Sequence, residues 1–389
     1  MPTCMIKVGL TKLQSATGRE NKATGNDLRA STRSFSSLVR IRAAARCKTV
    51  LSAIISLVYS TVLQSQPANI TIGQPDTPFA PSPLPLPGPS SRCDEIVAQL
   101  TELSRSTKWE LVDRIKFEGD TFEPEGLVRI GDDRYFVSAG EYGLPTSKYN
   151  ATINGTDRSA GEGFGHTIVF DGKGGRIADA TVTRAGSVEY HYGGLDFDGE
   201  YIWATFAQYR PNSTATLVRM RPSTLEPEPV LRIADHMGAV VRDPTTDNIV
   251  TLNWGPRSAS LWNLEDNNRS SESPPAFATP RAVVRNPSHF IDYQDCKFLG
   301  HPRLFGSRAV MLCSGITAIY GTTISGIALV DMETMIPLYE VPLTMVSDAG
   351  NLMTKNPMDV AVVDGKMRFF FLPDERNSTL YVYEAASWS

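Results

Sequence analysis

His191-Tyr192-Gly193-Gly194-Leu195-Asp196-Phe197 opens a strand, and a pattern of the same kind returns four more times along the chain. The other copies are Glu123-Pro124-Glu125-Gly126-Leu127, His236-Met237-Gly238-Ala239-Val240, His289-Phe290-Ile291-Asp292-Tyr293 and Asn356-Pro357-Met358-Asp359-Val360. A polar residue leads each copy. An apolar strand follows, then a turn, a second and more aromatic strand, a loop and a third strand. Asp198-Gly199 and Asp364-Gly365 are two-residue hairpin signals between first and second strands, and Gly131-Asp132-Asp133 is a turn cluster at the same place. A repeated unit that cannot bury its apolar face alone must stack on its copies, which predicts an all-β fold, a β-propeller. The count is five four-stranded blades, with six as the alternative.

Working outward, third strands are predicted around residues 166–170, 215–219, 259–263, 326–330 and 378–382, and fourth strands in four of the blades. The last blade lacks a fourth strand because the chain stops soon after Tyr383-Glu384, while one strand is left over upstream, at about residues 109–117. Pairing the two closes the ring and removes a free sheet edge between the ends of the chain. The propeller therefore spans residues 107–389.

Residues 1–65 form a basic lead and an apolar stretch, Thr49 to Leu63, in the manner of a secretory signal. It is short of the roughly 20 apolar residues that span a bilayer comfortably. Secretion is the expectation, with an uncleaved type II membrane anchor as the alternative and the sole predicted contact with a membrane. Asn69, Asn150, Asn154, Asn212, Asn268 and Asn377 head Asn-X-Ser/Thr triplets, candidate glycosylation sites on an exported chain. Residues 66–92 are proline-rich and read as an extended linker standing off the fold. Within residues 93–106, Ile96, Val97, Leu100 and Leu103 recur at helical spacing, predicting a short amphipathic helix.

The formal net charge of −4 and the lack of a basic stripe in the globular part argue against nucleic acid as a partner. Five cysteines contain no CxxC, which removes zinc-finger readings. Cys296 and Cys313 fall opposite each other across a hairpin centred near Leu304 and Phe305, so a disulfide is expected in an oxidising compartment, with Cys93 left unpaired. No G-x-S-x-G elbow, P-loop or dinucleotide fingerprint occurs, and no nucleotide cofactor is expected.

Innermost strands of a propeller run along the central channel, so the five leading residues converge: Glu123, His191, His236, His289 and Asn356. Three of the five histidines in the chain occupy this one repeat position. Glu123, His191, His236 and His289 would suit a divalent metal that polarises a substrate oxygen or activates water. The plainer alternative is that the imidazoles brace neighbouring blades. Glu125, Asp235, Asp292, Asp295 and Asp359 lie near enough in sequence to orient the rings, and Glu125 is the candidate general base. Arg158, Arg210, Arg257 and Arg376 lie in loops between second and third strands, and with Asn356 would bind substrate, favouring an acidic one. The long loop from Gly140 to Gly165 on that face would cover the site.

From about Lys108 onward, the stretches DFDGEYIWATF, YRPNS, RIADHMGAVV, LNWGPRS, HFIDYQDCKFL, MLCSG, GIALVD and STLYVYE resemble an uncharacterised microbial family of secreted propeller proteins. The resemblance implies a β-propeller and export and brings no activity. At greater distance the blades are similar in architecture to lactonase, strictosidine-synthase and quinoprotein propellers. The expected function is a metal-dependent, lactonase-like hydrolase or lyase for a small oxygenated or anionic substrate. The alternative is a propeller that binds a glycan, small molecule or protein without catalysis.

Overall fold

The structure, a computed structural model, describes residues 69–264 and 277–386. The basic lead, its apolar stretch and Asn268 lie outside the described residues. Strand β1 (Asn69–Ile72), helices α1 (Gly88–Ser91) and α2 (Cys93–Glu102) and strand β2 (Trp109–Lys116) precede the repeats. Blade I contains β3 (Glu123–Arg129), β4 (Arg134–Leu144), a separate ribbon of β5 (Lys148–Ile153) and β6 (Thr156–Arg158), then β7 (Glu162–Asp171) and β8 (Arg176–Thr181). Blade II has a broken inner strand, β9 (His191–Tyr192) and β10 (Asp196–Phe197), followed by β11 (Ile202–Ala207), β12 (Ala215–Met220) and β13 (Pro227–Ile233). Blade III is β14 (Met237–Asp243), β15 (Asn248–Asn253), β16 (Ser258–Asn263) and β17 (Ala282–Arg285). Blade IV is β18 (Asp292–Gly300), β19 (Val310–Ile319), β20 (Thr322–Asp331) and β21 (Pro337–Leu343). Blade V is β22 (Met358–Val363), β23 (Lys366–Phe371) and β24 (Thr379–Ala385).

Every blade is an antiparallel meander, and the outer strand of blade V is β2, paired with β24. The described strands thus form five blades rather than six, closed where the leftover upstream strand predicted. Inner strands touch in sequence from I to V, and V returns to I. Apolar clusters fill the spaces between adjacent blades, as in the layer of Val128, Ile130, Phe136, Ile202, Ala204 and Met220 between I and II. Burial of such side chains, at about 25 cal/mol per Å² of apolar surface, is what drives the stacking.

At the hub, inner strands expose backbone N–H groups that no further strand can pair. Buried aspartates supply the acceptors. Asp196 accepts from the amides of Arg242 at 2.9 Å and Phe298 at 3.3 Å. Asp295 accepts from Leu127 at 3.2 Å and Met358 at 3.3 Å, and Asp359 from Arg129 at 2.6 Å. Each carboxylate therefore staples one blade to another. Lys297, 1% exposed, lies 2.7 Å from the Asp295 carboxylate and donates to the Leu195 carbonyl at 2.6 Å. Asp295 and Asp359, read from the sequence as partners for imidazoles, serve these amides instead. Burial holds the carboxyls of Asp196, Asp295 and Asp359 above the usual carboxylate range.

The proline-rich segment does not stand off the fold. β1 pairs with β8 as a fifth strand of blade I, and Ala80 is buried with Phe79 and Leu84 against the cluster between I and II. Pro87 reaches Gly199 of blade II while Gly88 reaches Ala361 of blade V, so the chain crosses the end of the hub over Arg129, Asp196, Lys297 and Asp359. Proline costs little backbone entropy to order, and its ring is an apolar surface, which suits such a cap. The following helix α2 is amphipathic as expected, with Ile96, Val97 and Leu100 buried against blades IV and V. Cys296 and Cys313 are cross-strand partners joined by a disulfide. Cys93 is a free thiol, pushed up to about 12 by burial and by Asp94.

Removing one hub carboxylate should be costly because it strands a buried ammonium and two amides together. Asp295→Ala is expected to lose about 3–5 kcal/mol of unfolding free energy in denaturant titrations. The double variant Asp295→Ala/Lys297→Met should regain part of that loss. A single-variant loss below about 1 kcal/mol would show that the staple is not needed.

Candidate functional site

A β-bulge sets which inner-strand side chains meet. Glu125 is the extra residue in blade I, Gly238 in blade III and Gln294 in blade IV, while blade II accommodates one extra residue between β9 and β10. Counting two residues back from the bulge gives Glu123, His191, His236 and Asp292. The last is three positions away from His289, which lies exposed in the approach to β18. His289 is therefore not the fourth copy of the leading residue. Blade V has an unbulged inner strand, and Asn356 before it is buried, donating to the Pro373 carbonyl at 3.1 Å.

Glycines let the bulged strands come together. A Cβ on Gly193 would lie 2.1 Å from the Gly238 carbonyl oxygen, and one on Gly126 would lie 2.5 Å from the Leu195 nitrogen. Gly194 donates its N–H to Gly238 at 2.9 Å. The close approach brings the first residues of blades I to III into one cluster.

His191 is its centre. Its Nε2 lies 3.4 Å from a Glu125 carboxylate oxygen, its ring stacks on Tyr209 at 5.0 Å, and His236 follows at 5.1 Å. Tyr142 sits 5.6 Å from Tyr209 and 5.7 Å from Tyr190, and Trp254 sits 5.3 Å from Tyr209 and 4.8 Å from His236. The Tyr142 hydroxyl faces the Glu123 carboxylate, while His191 Nδ1 is a buried polar atom with no side-chain partner.

The charge states follow from these contacts. Burial disfavours the charged form of His191, yet Glu125 and Glu123 outweigh it and hold the imidazole above its ordinary range, which favours the imidazolium. His236 donates Nδ1–H to the Gln208 carbonyl at 2.7 Å and is driven down to about 3 by burial and by the charge on His191, so it stays neutral. Glu123 is pushed up to about 7, first by burial and then by Glu125. The Tyr142 hydroxyl is held well above its ordinary range by burial and both carboxylates.

The remaining candidates divide. Arg158, carried on β6, lies 4.7 Å over the Trp254 ring and is clasped by Asp157 at 2.9 and 3.0 Å. Arg210 donates to the Gln208 side chain at 2.8 Å, behind the carbonyl that holds His236. Arg257 is paired with Asp292 at 2.7 Å and bonded to the carbonyls of Gly255 and Ser288. Arg376 is paired with Asp120 at 3.0 Å. Asp235 accepts from the backbone N–H of His236 and does not orient its ring. Among the described residues no three His, Cys, Asp or Glu side chains are placed to hold a metal ion, so the set of Glu123, His191, His236 and His289 does not assemble as a metal site. Sequence reasoning missed the aromatic walls, although Tyr142 lies near the end of a second strand and Tyr209 and Trp254 lie just after one, at nearly the same repeat position.

The loop of residues 140–165 carries the β5–β6 ribbon, which reaches from blade I over blades II and III. Asn212 donates its side-chain amide to the Gly155 carbonyl at 2.6 Å, and Tyr190 donates its hydroxyl to Ala160 at 3.2 Å. The asparagines of the five described triplets, Asn69, Asn150, Asn154, Asn212 and Asn377, are exposed.

Residues 85–388 match a family of unknown function, DUF6454. The chain belongs to that family. No curated protein matches it. Among solved structures it is similar to the tail fiber of Staphylococcus aureus phage P68, at 8% identity and a TM-score of 0.43, over 77% of this chain and 57% of that one. It is also similar to a luciferin-regenerating enzyme, at 9% identity and a TM-score of 0.40, over 73% of this chain and 96% of that one. The Kuenenia stuttgartiensis hydrazine synthase follows at 9% identity and a TM-score of 0.30, over 55% of this chain and 53% of that one.

For a carboxyl raised on folding, the protonated form is favoured in the folded state. Stability is therefore greatest below the ordinary glutamate range and falls as pH rises through about 7. Glu123→Gln removes that penalty. Its melting temperature relative to the unaltered protein should rise between pH 4.5 and pH 7.5, whereas a difference that stays flat across this window would show that Glu123 titrates normally.

Proposed function

We propose that the protein is an exported propeller that binds a small oxygenated ligand against the aromatic walls of blades I to III and hydrolyses it by acid–base chemistry. The observation that carries this reading is Glu123, poised at about 7 beside the His191–Glu125 ion pair. A group poised near neutral pH can both take and return a proton. Ionised, Glu123 takes a proton from water as the oxygen of that water bonds to an ester carbonyl carbon. The same proton then passes to the leaving oxygen as its bond to carbon breaks, so the group ends as it began. Glu125 keeps His191 charged, and the imidazolium stabilises negative charge developing on the substrate oxygen. This moves the general base from Glu125 to Glu123 and routes no step through a metal.

Export is supported by the Cys296–Cys313 disulfide, since such bonds persist in oxidising compartments, and by the exposed asparagine triplets. The aromatic walls would serve a non-catalytic receptor for a glycan equally well, and turnover separates the two.

A panel of aryl esters and lactones tests the reading. One class should be turned over with kcat/KM rising through about pH 7, and Glu123→Gln should lower kcat by about 10²- to 10⁴-fold. Loss of no more than a few-fold in that variant, or no turnover of any class, would leave the receptor.

A further inference from the structure

We propose that the ligand of the blade I to III face carries an ammonium group alongside hydroxyls, an amino sugar being the simplest such molecule. This rests on that face being the ligand site and names the chemistry of what enters it.

The first support is charge. Two carboxylates, Glu123 and Glu125, meet one imidazole, His191, so that even its charged form leaves one negative charge over when Glu123 is ionised. Most nearby cations are already paired with acids. Arg158 is held by Asp157 through two hydrogen bonds, Arg257 by Asp292, Arg376 by Asp120, and Lys355 by Glu375 at 2.6 Å. Arg210 is turned to Gln208. Glu375 adds its own repulsion to Glu123, and Tyr142 and His191 are the groups that oppose it.

The second support is the wall. Tyr142, Tyr209 and Trp254 follow one another at ring distances of 5.6 and 5.3 Å beside the carboxylates, with the fully buried Tyr190 packed against Tyr142 at 5.7 Å. Electron-rich ring faces attract cations, and one wall already does so, with the Arg158 guanidinium 4.7 Å over Trp254. An anionic ligand would meet two carboxylates instead.

The third support is a buried donor. His191 is 5% exposed, and its Nδ1, an N–H whenever the ring is charged, has no acceptor beyond what its own backbone offers. Leaving such a donor unpaired is costly, and a ligand hydroxyl placed there would accept from it. An amine alone does not meet this demand, and a neutral sugar leaves the surplus carboxylate uncompensated. A hydroxylated amine meets both.

Calorimetric titration of the full chain with glucosamine, glucose and glucuronate distinguishes the cases. Glucosamine should bind at least about tenfold tighter than glucose. Runs in buffers of different ionisation enthalpy should show proton release near pH 6.5, because the ammonium expels the proton of Glu123. Affinity should fall towards pH 5, where Glu123 keeps that proton. Glu125→Gln should weaken glucosamine by about tenfold. If that variant melts early, the pH dependence of the unaltered protein decides. Equal affinity for glucosamine and glucose, tighter binding of glucuronate, or no amine binding at about 10 mM would overturn the proposal. Glu123-dependent turnover of neutral substrates without amine preference would sink it while leaving the acid–base reading intact. Amine binding without turnover would do the reverse.

Discussion

Five inner strands can meet at an axis only if the backbone N–H groups along their unpaired edges find acceptors there. Asp196, Asp295 and Asp359 provide them, each reaching from its own blade to an amide on another. This exchange is directional, unlike the apolar packing between blades, so it sets the rotation and height of each inner strand. Lys297 offsets part of the negative charge that the arrangement buries. The crossing of residues 87–88 over that end of the hub then covers the charges on the side away from the histidines.

The opposite end inherits its geometry from the same constraint. With the strands stapled below, the extra residue in each bulge turns the residues before it toward the axis. Glu123, His191 and His236 thus arrive together, while glycines at 126 and 193 let the strands close to contact. Blades IV and V contribute differently. Asp292 is held by Arg257, and Asn356 is folded back onto Pro373, so the cluster is confined to blades I to III. Its aromatic walls follow the same division, since Tyr142, Tyr209 and Trp254 belong to those three blades.

Much of the architecture was legible because strands of a propeller announce themselves locally. Alternating apolar residues, Asp-Gly turns and the leftover strand at β2 each carry their meaning within a few residues. Cys296 opposite Cys313 follows from hairpin register in the same way. Export and glycosylation rest on signals in the chain itself, and part of them falls outside the described residues. The proline-rich segment misled for a physical reason: composition tells how stiff a segment is and leaves open what it lies against.

What the residues alone determined is a ring-closed propeller of five or six blades with carboxylates and imidazoles near the start of its inner strands. What only the tertiary structure decided is which of them meet. A bulge adds one residue without any mark in the composition, so the true counterpart of His191 in blade IV is Asp292 and His289 is left outside. Likewise the arginines looked alike in sequence, and only their neighbours in space reveal that Arg257 and Arg376 are bound to acids while Arg158 lies over Trp254. Side-chain chemistry is local, but charge balance and burial are sums over everything nearby, and those neighbours come from distant parts of the chain.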